Sequence, residues 1–221
     1  MFRHTLCTLF AALFLTGLAI AEDKKVPLKT KVPEEVLVGT PPDVLKMLFP
    51  GLVLDAEKEF LVPEGTTNVA LKKKVTSSDK APILGKVDYV TDGNKEGTEE
   101  SYVELGPLTQ WVQIDLEKPC EIYGLYLWHY FREARSYHDV VVQVADDAEF
   151  TKNVQTIYNN DTDNSSKLGV GKDRPYIEVF QGKLIEAKGQ KGQYVRLYSR
   201  GNTANDVNHY VEVEVFGKPV E

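Results

Sequence analysis

Trp111-Val112-Gln113-Ile114-Asp115-Leu116 alternates strictly between apolar and polar side chains from Val112 onward. A strand sends successive side chains to opposite faces, so Val112, Ile114 and Leu116 share one face while Gln113 and Asp115 take the other. The same period recurs in Val142 and Val144, in Val195 and Leu197, and in Val211, Val213 and Val215. Gln143, Arg196, Glu212 and Glu214 then fall on the opposite faces. Glu121 to His129 is apolar on both faces and suits a central strand. Val154 to Tyr158 and Tyr176 to Phe180 are weaker strand candidates. Clusters of Gly, Asn, Asp and Ser separate these runs, and no stretch after Thr66 sustains a helical apolar period. The pattern predicts an all-β antiparallel sandwich over residues 66–217, with a short tail at 218–221.

Ahead of that block the punctuation is different. Pro27, Pro33, Pro41, Pro42, Pro50 and Pro63 interrupt every run, so residues 22–65 read as a proline-rich leader or linker. Within it, Pro42 to Phe49 suits a short helix that would put Val44, Leu45, Leu48 and Phe49 on one face. A helix that short is marginal alone, so it is expected either to be disordered or to pack against the following domain. Residues 1–21 read as a secretory signal peptide: Arg3 precedes the apolar run Thr5 to Ile20, which ends in the small-x-small triplet Ala19-Ile20-Ala21. Cleavage after Ala21 predicts a secreted or periplasmic product. No later stretch is apolar enough to enter a bilayer. Cys7 leaves with the signal, so Cys120 stands alone, no intrachain disulfide can form, and Cys120 reads as a small buried hydrophobe.

The 221 residues are 42% hydrophobic, 10% aromatic and 27% charged, a globular composition that excludes low-complexity architectures. A formal net charge of −7 argues against nucleic acid and anionic lipid as partners.

Five landmarks in order resemble one family: Thr67-Asn68-Val69-Ala70, Thr91-Asp92-Gly93-Asn94, the strand from Trp111 to Leu116, Tyr194 to Tyr198, and Val211 to Gly217. They resemble the discoidin domain, also called the coagulation factor V/VIII type C domain. The resemblance implies a galactose-binding-like fold, an antiparallel jelly-roll β-sandwich whose members mostly bind glycans, lipids or proteins and are not catalysts. Animal members usually close their ends with a disulfide, which this chain cannot form; that fits the bacterial carbohydrate-binding branch. The resemblance also implies a structural Ca²⁺ held by the Asp92 side chain, the Asn94 carbonyl, Thr98 and a carboxylate of the last strand, Glu212 in preference to Glu214. A glycine-bent loop opening on a carboxylate suits the oxygen ligands that Ca²⁺ takes. The alternative is a plain β-turn beside a solvated strand face.

Ligand-binding candidates lie on two loops. Trp128 to Asp139 mixes aromatic rings with Arg135 and His138, the apolar faces and fixed donors that sugar recognition needs. Arg200 to Tyr210 adds Asn205 and His209. If the loops share a rim, Arg135 and His138 donate to hydroxyls or a carboxylate, Asn205 and His209 form the opposite wall, and Tyr130 supplies the stacking face. The competing reading makes Trp128, Tyr130 and Tyr137 core residues and pairs Arg135 with a neighbouring acid. Asn159 to Ser166 fails as an EF-hand, since no glycine or distal acid falls at the required positions, and reads as a surface loop rich in turn formers. Gly169-Val170-Gly171-Lys172 fails as a phosphate loop. Catalytic motifs are absent: there is no G-x-S-x-G elbow and no H-E-x-x-H. The function expected is a secreted, non-catalytic module recognising a carbohydrate or cell-surface glycan. A protein-docking or surface-assembly module is the alternative, and a hydrolase with an unrecognised carboxylate pair the second alternative.

Overall fold

A computed structural model describes residues 24–34, 39–48, 55 and 59–220. The expected signal peptide lies outside the described residues. The elements in chain order are β1 (Lys25–Pro27), α1 (Pro42–Leu48), β2 (Leu61–Pro63), β3 (Thr67–Asn68), β4 (Val75–Ser77), a 3-10 helix (Val87–Thr91), β5 (Val103–Leu105), β6 (Gln110–Trp128), β7 (Val141–Ala145), β8 (Gln155–Asn159), β9 (Lys183–Ser199), β10 (Asn208–Tyr210) and β11 (Glu212–Pro219). Among the described residues, no helix is long and apolar enough to cross a membrane.

Two long strands make the sandwich. β6 and β9 pair antiparallel along their length, with register breaks between Asp115 and Cys120 and between Ile122 and Gly124. Before the first break β6 is flanked by β4, and the matching half of β9 by β7 and then β8. Beyond it β6 is flanked by β11 and then β3. The bulges thus let each strand serve two layers. Val112, Ile114, Val142, Val144, Val195 and Leu197 from one layer meet Ile122, Leu125, Leu127, Ile185, Val213 and Val215 from the other in one core. Each such side chain, buried, contributes about 1.5–3 kcal/mol. The inward face of β6 passes from even to odd residue numbers across the Ile122/Gly124 irregularity, as an inserted residue requires. Cys120 is 1% exposed within this core, and burial raises its thiol.

The outer face of the β11 layer differs from the solvated face that alternation predicts, because Glu212 and Glu214 are buried. The leader reaches Glu214, and the Asp92 loop reaches Glu212. β1 pairs with β2, Leu28 N–H donates to the Phe60 carbonyl at 2.7 Å, and Leu28 packs on the cluster of Tyr126, Trp128 and Phe216. Gly124 is where this approach needs the missing side chain: a Cβ there would stand 2.7 Å from the Phe60 ring. Thr30 Oγ1 donates to Glu214, and Lys95 Nζ lies 2.5 Å from Glu214 Oε1. Lys95 also donates to Thr30 Oγ1 and to the Lys31 carbonyl, both at 3.0 Å, and stands 4.7 Å from the centre of the Trp128 ring.

Three sequence expectations need correction. Tyr176 to Phe180 is not a strand; it follows Pro175, and its Glu178 N–H donates to the Arg135 carbonyl rather than to a ladder. In α1 only Pro42 and Leu45 are buried, Leu45 against Val179, while Val44 and Leu48 are exposed; Phe49 lies outside the described residues. The terminal tail is partly strand, since β11 runs to Pro219 and Val220 N–H donates to the Pro119 carbonyl.

Candidate functional site

The loop after β6 and the loop before β10 are laced together by backbone pairing. His138 N–H donates to the Gly201 carbonyl at 3.1 Å, Arg200 N–H to the His138 carbonyl at 2.9 Å, and Thr203 N–H to the Ser136 carbonyl at 3.0 Å. Pairing of β10 with β5 then sets His209 opposite Glu104. His209 Nε2 lies 3.2 Å from Glu104 Oε2, and Nδ1 lies 2.8 Å from the Tyr137 hydroxyl. Burial, with Arg135 and His129 adding to it, pushes His209 down to about 3. The imidazole is therefore neutral, with Nε2–H donating to Glu104 and Nδ1 accepting from Tyr137. Burial also holds the Tyr137 phenol well above its ordinary value, with Arg135 acting in the opposite direction, so it stays a donor.

Arg135 closes this group. Its guanidinium carbon stands 4.6 Å from the centre of the Tyr130 ring, and Tyr130 in turn meets Tyr102 at 5.1 Å and His209 at 5.6 Å. The residue is 4% exposed; Nη2 pairs with Glu133, while Nε and Nη1 are buried without a hydrogen-bond partner. Arg196 shows how a satisfied guanidinium looks in the same molecule. It sits 4.4 Å from the Trp111 ring centre and 4.0 Å from that of Phe150, and donates to Gln113, Tyr198 and the Ala148 carbonyl.

Of the five ligand candidates the structure brings Tyr130, Arg135 and His209 together. His138 is exposed and contributes its backbone; Asn205 is exposed and its side chain accepts from Asn202 Nδ2 at 2.7 Å, shaping its own loop. Neither side chain hydrogen-bonds or stacks with the Arg135 group. The Tyr130 face expected to stack on a sugar carries the guanidinium, so on that side the ring positions the cation. Trp128 and Tyr137 are core residues, 0% and 2% exposed. Sequence reasoning missed Tyr102 and Glu104, although Tyr102-Val103-Glu104-Leu105 alternates and places Tyr102, just ahead of β5, on the same face as Glu104 within it. It also missed the buried His129–Glu178 pair at 2.8 Å, whose imidazole stacks on Tyr137.

The second constellation lies at the Asp92 loop. Asp92 is exposed and its Oδ1 accepts from Asn94 N–H at 2.7 Å; Asn94 Oδ1 accepts from Glu96 N–H at 3.1 Å; Thr98 Oγ1 lies 3.3 Å from Ser101 Oγ. Gly93 N–H donates to Glu212 Oε2 at 3.1 Å, leaving Oε1 of this fully buried carboxylate without a partner. Burial pushes Glu212 up to about 9, against the Gly93 N–H and with Glu214 and Asp92 adding to the rise. An orphaned, buried carboxylate oxygen under a glycine-bent loop is a donor set that fits a hard cation. Between this loop and the leader opens a cavity of about 410 Å³, lined among others by Lys31, Glu34, Asn94, Thr98 and Arg132.

The loop read as a plain surface turn is partly interior: Asn159, Asn160 and Asp161 are all buried. Asp161 faces Asp139 and Asp163, their oxygens within 4.8 Å. Burial opposes the charge of Asp161, but the hydroxyl and amide of Ser166 outweigh it and hold the carboxyl below its ordinary value.

No family model matches the chain, and no curated protein matches it. Among solved structures it is similar to a family 89 glycoside hydrolase from Clostridium perfringens at 18% identity and a TM-score of 0.50, over 69% of this chain and 15% of that one. It is also similar to a CBM32 in complex with 4,5-unsaturated mannuronic acid, at 16% identity and a TM-score of 0.48, over 65% of this chain and 93% of that one. A Streptococcus pneumoniae fucose binding module matches at 22% identity and a TM-score of 0.48, over 67% and 96% of the two chains. With its strand order and its two-layer core, the chain has an antiparallel β-sandwich fold, shared over 69% of its length with part of that family 89 glycoside hydrolase.

Proposed function

We propose that the chain is a secreted, non-catalytic module that binds a carbohydrate at the rim formed by Tyr102, Glu104, Tyr130, Arg135 and His209. The observation that carries this reading is Arg135, a buried cation with two unused nitrogens, beside the acceptor Glu104. Vicinal hydroxyls need donors and acceptors side by side, and this group offers both on an aromatic floor. Carbohydrate is also the ligand class that the solved modules above are named for. Fold alone does not fix function, so the site's chemistry has to bear the argument. A glycan array probed with the full chain tests it: binding to a defined set of glycans, weakened in Arg135→Lys, is expected. Absence of any glycan binding, with a protein captured through the same rim, would turn the reading to the docking module.

The Asp92 loop belongs to the same proposal as a structural Ca²⁺ site. The ion would be held by Asp92, Glu212 and loop carbonyls, and would pin the loop to β11 without taking part in ligand contact.

A further inference from the structure

We propose that Arg135 recognises a carboxylate on the glycan, as in a uronic or sialic acid, and that Glu133 occupies that place until the ligand displaces it. The inference rests on the glycan reading above and narrows its ligand class.

The two members of the Arg135–Glu133 pair live in different surroundings. The arginine side chain is 3% exposed and the glutamate 65%. A guanidinium does not shed its proton, so once buried it requires an anion, and its planar fork matches a carboxylate in a two-bond geometry. Glu133 meets that requirement poorly: it engages Nη2 alone, and Nε and Nη1 make no hydrogen bond, although the guanidinium lies near enough to the neutral Tyr137 hydroxyl to act on it. No better counter-ion stands by among the described residues. Glu104 is near enough for Arg135 to lower it against the larger effect of burial, yet its hydrogen bond goes to His209, and Glu178 is bound to His129.

Glu133 sits two residues from Arg135 on a loop, with its carboxylate reaching in from solvent. Rotation of its own side chain clears the guanidinium without moving β6 or β7. Departure of Glu133 frees Nη2, so a ligand carboxylate can then take Nη2 together with one of the two unused donors, in a two-bond fork that Glu133 does not make, while Tyr130 stacks on the cation. A neutral sugar in that position would strand the buried charge, so displacement of Glu133 discriminates in favour of acids. The chain as a whole is acidic, with a net charge of −7, and attracts no anion by its overall field. Selectivity for an acid must therefore be local, and Arg135 is the buried cation of this rim.

The test is isothermal titration of the full chain with matched pairs. D-galacturonate is set against D-galactose, which differ only in carboxylate or hydroxymethyl at C6, and N-acetylneuraminate against its methyl ester. An array carrying uronate-terminated, sialylated and neutral glycans runs alongside. One acidic arm should bind at least about tenfold more tightly than its neutral partner, and that advantage should shrink as salt rises. Glu133→Gln should tighten acid binding by about two- to fivefold, the range of an exposed pair, and leave neutral sugars unchanged. Arg135→Lys should remove the acid preference; if that variant does not fold, Glu133→Gln and the salt series decide. Equal binding of acid and neutral partners, or acid binding unchanged or weakened in Glu133→Gln, overturns the proposal while leaving glycan binding intact. Failure of every saccharide to bind sinks the glycan reading itself, and this one with it.

Discussion

Glu212 lies on β11 beneath the Asp92 loop, and Arg135 lies on the loop between β6 and β7; both are buried, and both leave polar atoms without partners. Their remedies differ. A buried acid can take up a proton, and Glu212, raised to about 9, does so at neutral pH unless a cation arrives. A buried guanidinium has no such exit and must hold its charge. The Glu212 site is therefore one the fold tolerates without a cation, and on the proposal above a metal there would add stability. The Arg135 site keeps an unmet demand for an anion, which suits recognition.

Lys95 breaks the comparison hardest, because it is a buried cation whose donors are all used. Lys95→Ala strands Glu214 and should cost about 3–5 kcal/mol, or roughly 10 °C in Tm by thermal melting. A loss under about 2 °C would mean that the leader does not seal this face.

Metal removal is next in size. A ligand present at 100 times its Kd stabilises by about 2.7 kcal/mol, so excess chelator should lower the Tm and added Ca²⁺ restore it. Asp92→Ala and Glu212→Gln should each abolish that response. An unchanged Tm, in protein shown by elemental analysis to carry no metal, removes the ion from the account.

The pH dependence of His209 sharpens the other side. Its folded value of about 3 lies below the ordinary 6.5, so on acidification the unfolded chain takes up a proton while the native chain does not. Stability is fully present above about 6.5 and declines as the pH falls toward 3. His209→Asn should flatten this decline relative to the parent chain by a few degrees in Tm. Parallel curves would show that His209 is not buried neutral beside Glu104.

The inward half of the sandwich was legible in the sequence. Val112, Ile114, Val195, Leu197, Val213 and Val215 repeat with the strand period, and the core contains all of them. The outward half was not, because alternation says which residues share a face and not what later covers it. Glu212 and Glu214 fell on the face opposite the core, a solvated face in the alternative to the metal reading; Thr30, Lys31 and Phe60 of the leader, with Gly93 and Lys95, make that face an interior. Pairing between Ser136 and Thr203 and between His138 and Gly201 brings Tyr130, Arg135 and His209 onto one rim, but a strand pattern carries no information on which loop residues turn inward. Tyr102 and Glu104 join them through β5, a strand of three residues too short to stand out. Val211 left the stripe of Val213 and Val215 for the outer cluster because the break between β10 and β11 falls on it.

The most direct measurement follows the Nε–H resonance of Arg135 by ¹H–¹⁵N NMR while the full chain is titrated with the saccharide that the array selects. If the rim is the site, that proton shifts and its exchange with water slows on binding, the Tyr130 and His209 ring signals move over the same titration, and the Trp111 and Arg196 signals stay in place. Saturation with an unchanged Arg135 signal, and shifts gathered instead around Trp111 and Arg196, would contradict the account.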